Sequence, residues 1–136
     1  MYVFSPQDAL IAVMLVTSMA DEQTSDSEFL TIQISLDVLP VFEGFKRSRL
    51  DEVVETVRGV LEEEEGLEAL IADVKKSLPV HLIETAYALA CDVAAADGRL
   101  AVGELRLLEE LRHGLELNRL NAAAIERGAR ARHSKL

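Results

Sequence analysis

The chain has 136 residues, a length that can bury one core without help from disulfides or metals and leaves little room for a second domain. Hydrophobic residues make up 49% and aromatic residues 4%, with no Trp, so a core of Leu, Val, Ile and Ala in helices is expected rather than a β-sandwich. A formal charge of −10 excludes a general nucleic-acid or anionic-membrane surface, because each approach to phosphate meets like charge.

In chain order, Ser5-Pro6 reads as a helix N-cap and first-turn proline. Leu10, Val13, Met14 and Thr17 then recur at helical spacing to an end near Ala20. The apolar run from Ala9 to Ala20 is too short to span hydrocarbon. With Asp8 and no Lys or Arg before it, the run also fails as a secretory signal, so no direct membrane insertion is expected. Ser25 and Glu28 form a capping-box pattern opening a second helix, which carries Ile32, Leu36 and Leu39 as far as Pro40. A short turn or helix follows over Val41 to Phe45.

Ser48 is predicted to cap a third helix through Leu50, Val53, Val54, Val57 and Leu61, with the Glu62 to Glu65 run and Gly66 ending it. Leu67 to Leu78 forms the next helix. Pro79 begins a long apolar one whose inner stripe holds Leu82, Ile83, Ala86, Leu89, Ala90 and Val93, stopped by Asp97-Gly98. Leu105, Leu108, Leu111 and Leu115 mark another inner stripe, and Asn118 caps a last helix. The fold class is therefore all-α, a single domain of about seven helices spanning residues 1–136.

The basic end contrasts with the acidic body. From Arg119 onward, five basic residues stand against Glu126 alone, which leaves the preceding body near −14. The tail after Gly128 is expected to fray, so that its removal spares the core. The charge asymmetry offers a route to docking on a protein partner or to self-association as a homo-oligomer, weak and salt-screened in either case. Ser134-Lys135-Leu136 spells a peroxisomal address, a three-residue match that chance supplies readily.

Shifting the chain on itself by 97 − 21 = 76 residues lays Ala20-Asp21 on Ala96-Asp97 and Glu28 on Glu104. Each half then reads as a long apolar helix, Ala-Asp, a six-residue gap, and Glu opening the next helix, a pattern suggesting duplication into two pseudo-repeated halves. Asp21 and Asp97 continue the inner stripes of their helices, four residues past Thr17 and Val93, while Glu28 and Glu104 head the stripes of theirs. All four carboxylates should therefore lean inward.

The plain reading is that glutamates near a helix N-terminus cap free N–H groups and complement the dipole, and that aspartates before a turn satisfy the backbone locally. The functional reading is that a pseudo-two-fold axis brings Asp21, Glu28, Asp97 and Glu104 together. Close like charges then require raised pKa values or a hard divalent cation such as calcium, magnesium, manganese or zinc. An EF-hand loop is excluded because Val93 and Ala95 would fill its first ligand positions and offer no side-chain oxygen. His81, His113 and His133 share no ligand spacing, and Cys91 lies within an apolar stretch, as a buried thiol in a reducing compartment would. No phosphate loop, nucleophile elbow or Ser/His/Asp set is present, which leaves an enzyme, such as a metal-dependent hydrolase, without an evident base or oxyanion donor.

Ala86 to Leu117, with its Ala-rich helix, Ala95-Ala96-Asp97-Gly98, Glu104 and Leu107-Leu108-Leu111, resembles the TerB-like family of tellurite-resistance-associated domains. Met19-Ala20-Asp21 and Glu28 fit the opening motif of that family. The resemblance implies a helical, cytoplasmic bacterial domain, associated with tellurite and metal stress, whose acidic positions are proposed to bind metal. The lack of a catalytic motif adds the expectation of a non-enzymatic domain with no organic cofactor. Two departures stand out: Glu22 replaces the glycine found at Gly98, and Ala101 sits where a capping Ser or Thr is expected. The rival expectation is a metal-free protein–protein interaction module in which the carboxylates only cap helices.

Overall fold

The computed structural model describes residues 4–20, 25–98 and 102–136. Over these residues the chain forms seven α-helices: α1 (Pro6–Met19), α2 (Asp26–Val38), α3 (Leu50–Leu61), α4 (Gly66–Ser77), α5 (Ile83–Ala95), α6 (Val102–Gly114) and α7 (Arg119–Arg132). Three 3-10 turns, Pro40–Phe42, Arg47–Arg49 and Val80–Leu82, link them. No strand occurs among the described residues.

Local chemistry accounts for most boundaries. The Ser5 side chain accepts from the Asp8 N–H at 3.1 Å, with Pro6 at the first helical position of α1. Ser25 and Glu28 close the expected capping box on α2, and the Asn118 side chain accepts from the Leu120 and Asn121 N–H groups at the start of α7. Gly98 takes a left-handed φ of 77° in the turn after α5.

Three boundaries differ from expectation. Ser48 does not cap α3: it lies in a 3-10 turn whose Arg49 N–H already bonds to the Lys46 carbonyl at 2.9 Å, and Arg49 occupies the cap position. Gly66 begins α4 instead of ending α3. The chain reverses through Glu65 in a left-handed conformation, and a Cβ on Gly66 would stand 2.3 Å from the Val60 carbonyl oxygen, so the turn requires a residue without a side chain. Pro79 leads into a 3-10 turn before α5 rather than directly into the helix.

Helix α1 is the centre of the fold. Every residue from Asp8 to Ser18 is buried, and α2, α3, α4, α5 and α6 all pack on it. The two polar residues at its buried end are satisfied along the helix, Thr17 donating to the Val13 carbonyl and Ser18 to the Leu15 carbonyl, each at 2.8 Å. At the other end, Arg49 donates to Asp8 at 2.6 Å and stacks over the Phe45 ring. Helix α5 is the second buried helix, packed most extensively against α1 and α7.

The 76-residue shift read in the sequence also carries helix boundaries onto one another. Met19 falls on Ala95, Asp26 on Val102, and Val38 on Gly114, so α1–α2 and α5–α6 are equivalent helix pairs. The first helices of the two pairs, α1 and α5, pack on each other, and each second helix packs on the first helix of the opposite pair, α6 on α1 and α2 on α5. Buried Ile32 and buried Leu108 occupy matching positions, as do half-exposed Phe29 and Leu105.

At the basic end, α7 continues past the expected fraying point at Gly128 through Arg132. Ala129 is 2% exposed, and Arg132 pairs with Asp92 of α5 at 2.6 Å. Small alanines on the inner face of α7 let it lie close against α5, and this packing carries the helix past the glycine.

Candidate carboxylate site at the helix junctions

The four carboxylates marked by the repeat do not share one environment. Glu28 and Glu104 lie in the first turns of α2 and α6 and are 0% and 1% exposed, as their inward lean predicts. Few carboxylates are buried this completely, because removing an ion from water costs several kcal/mol that local partners must offset. Position in the first helical turn offsets part of it through the dipole. For Glu28 the partners include Ser25, whose backbone N–H and hydroxyl both donate to Glu28 Oε1, at 3.1 and 3.2 Å.

Glu104 is held at the end of the first helix of the opposite pair. A Cβ on the preceding residue, Gly103, would stand 2.5 Å from the Ala20 carbonyl oxygen, so glycine is what lets the start of α6 press against the end of α1. Glu104 is thereby placed beside the chain position that leads into Asp21. Asp21 lies outside the described residues, as does Ala101, where a weaker cap is expected.

Asp97 departs from the expectation that it points inward. Helix α5 stops at Ala95, and the turn through Gly98 leaves Asp97 half-buried at the end of a groove between α5, α6 and α7. A helical register projected from Val93 no longer applies once the helix has ended. Among the described residues no three His, Cys, Asp or Glu side chains group so as to hold a metal ion. Of the other candidates, His81 and His113 are exposed, His133 lies 3.4 Å from Asp92, and Glu62 to Glu65 form a solvated helix end.

A second polar cluster, between α5 and α7, has no distinguishing sequence signal. The Tyr87 hydroxyl donates to Glu126 Oε2 at 2.5 Å, joining α5 to α7, and Asp92 accepts from Arg132 one turn further on. Burial, together with the neighbouring Glu126 carboxylate, pushes the Tyr87 phenol well above its ordinary range. Burial first, and Glu126 second, push the Cys91 thiol up to about 12. Cys91 is thus a neutral packing group at neutral pH, as its apolar sequence surroundings suggest. The stripe expected on α6 also needs correction. Leu107, Leu108, Leu111 and Leu115 are buried, while Leu105 is 50% exposed at the groove.

No helix among the described residues is long and apolar enough to cross a membrane. The sequence model of the family described as Tellurite resistance protein TerB matches residues 7–127, from the first turn of α1 to near the end of α7. No curated protein and no solved structure matches the chain.

Proposed function

The chain belongs to the TerB family, and from that premise we propose that it is a non-enzymatic domain that binds a divalent cation through Asp21, Glu28, Asp97 and Glu104. The observation that carries this reading is the full burial of two glutamates at equivalent positions of the repeat, each opening a helix that packs on the first helix of the opposite half. Gly103 against Ala20 sets Glu104 at the end of α1, and the packing of α2 on α5 supports a corresponding arrangement in the other half. On this reading one junction pairs Glu104 with Asp21 and the other pairs Glu28 with Asp97. Such an all-oxygen set suits a hard cation, calcium, magnesium or manganese ahead of zinc. A role in tellurite or metal stress follows from the family's description and belongs to the same proposal.

A second reading has an observation of its own. The closed capping box at Ser25 and Glu28 gives Glu28 a complete structural role in α2 without metal. On that reading the acidic body docks a protein partner, and the carboxylates only hold helix ends. Thermal melts of the native chain and of Asp21→Asn/Asp97→Asn, each with and without EDTA, separate the two. A native melting temperature that falls in EDTA while the variant's does not supports the cation. Equal shifts, or none in either protein, support capping alone.

A further inference from the structure

Helices α6 and α7 both lie on α5 but make little contact with each other, and the gap between them is a groove of about 900 Å³. That volume is in the range of sites that take a small organic ligand. Tyr87, Cys91 and Ala95 of α5 form its floor, with Leu105 and Leu108 of α6 and Ala129 of α7 as walls. One end is closed. The Lys135 side chain reaches over to the turn after α5, with Cε and Nζ each 3.5 Å from where a Cβ on Gly98 would stand.

The charges around this groove are distinctive. Arg112, Arg130 and Lys135 line it, and among the described residues none of the three forms an ion pair, whereas neighbouring Arg132 and His133 are both engaged by Asp92. The chain as a whole carries 24 acidic residues and 14 basic ones, so basic side chains left outside ion pairs run against its overall balance. Of the acids that line the groove, Glu126 is occupied by the Tyr87 hydroxyl, Asp97 sits at the closed end, and Glu109 lies on α6 one turn before Arg112.

We propose that this groove binds an amphipathic organic anion, its acyl chain against Leu105, Leu108 and Ala129 and its carboxylate or phosphate head held by Arg112, Arg130 and Lys135. The apolar floor supplies affinity, and Arg112, Arg130 and Lys135, which are outside the ion pairs among the described residues, select a negative head over a neutral one despite the neighbouring Asp97 and Glu109. The site is independent of the cation reading, since it needs neither buried glutamate.

Backbone amide NMR shifts of the full chain, followed on titration with dodecanoate, dodecyl phosphate and neutral dodecanol, test the proposal. Saturable shifts centred on Ala95, Leu105 and Ala129 are expected for at least one of the two anions, and the tighter of the two identifies the head. Arg112→Gln/Arg130→Gln should weaken that anion by about tenfold, as two exposed charge contacts would. Leu105→Gln should weaken anion and alcohol alike. All three side chains are partly exposed, so both variants should melt near the native temperature; Leu105→Ala replaces any variant that does not fold. The proposal is overturned by shifts absent or centred elsewhere, by dodecanol binding as tightly as the anions, by unchanged anion affinity in the double arginine variant, or by groove shifts that follow protein concentration alone, which would mark a second copy as the occupant.

Discussion

The two halves of the repeat share a plan and differ in what covers them. Helix α1 is enclosed by α2, α3, α4, α5 and α6, whereas α5, its equivalent, is flanked by α6 and α7 with a groove left between them. The consequence shows at matched positions. Phe29 and Leu105 are both about half exposed, and Leu105 lines the groove that opens between α6 and α7. The shared plan relates the two buried glutamates that open α2 and α6, while the parting of α6 and α7 over α5 creates a surface in the second half.

Substitutions on α1 and at the groove should expose this difference most strongly. Met14, fully buried at the centre of α1, is expected to cost about 2–5 kcal/mol on Met14→Ala, whereas Leu105→Ala on the open side should cost under about 1 kcal/mol. Chemical denaturation of both variants checks this, and similar losses would mean that α1 is no more central than α6. A glycine pair sharpens the role of the junction. Gly103→Ala drives a Cβ into the Ala20 carbonyl and should cost about 2 kcal/mol or more, while Gly59→Ala, with open space around it on α3, should gain about 0.5–1 kcal/mol from helix propensity. A neutral Gly103→Ala would show that α6 does not press on α1 as described.

Smaller effects follow from α7. Removing the residues after Gly128 takes away buried Ala129 and the Asp92 pair, an expected loss of about 1–2 kcal/mol and a fall of about 5 °C in melting temperature. An unchanged melt would restore the reading of this segment as a free arm. The alkaline limb of stability reports on the same interface. Cys91 and Tyr87 have ordinary values of 9.0 and 10.0 and are both raised in the fold, so the folded state holds their protons longer than the unfolded chain does. Their contribution is fully present below pH 9 and declines as pH rises through 9 to 12. Cys91→Ala should flatten that decline in a pH series of melts, and an unchanged slope would count against burial as the cause.

Much of this was legible in the sequence because it rests on local chemistry. Ser5-Pro6, the Ser25 and Glu28 box, and Asn118 each announce a helix start by a side chain that bonds to the nearby backbone, and all three behave as read. Gly66 did not, because a glycine after an acidic run can end one helix or begin the next, and the choice rests on how closely Val60 approaches. The expected α6 stripe fails at Leu105, because spacing alone does not choose between Leu105 and Leu107, and the packing of α6 on α1, α4 and α5 buries Leu107 with Leu108 and leaves Leu105 out. The inward lean of Glu28 and Glu104 followed from helical phase, which extends through a first turn but not past a helix end, and Asp97 lies past one. The groove depends on the splay of α6 from α7, which no spacing encodes.

Binding of one kind of cation by the repeat's carboxylates, as proposed above, is open to calorimetry. The native chain and the shape-preserving variants Glu28→Gln and Glu104→Gln would be titrated with calcium, magnesium, manganese and zinc. The account predicts that at least one ion binds the native chain more tightly than millimolar, and that each substitution weakens that ion by about tenfold or more. Absence of binding by all four ions at millimolar concentration, or native affinity in both glutamine variants, would contradict it.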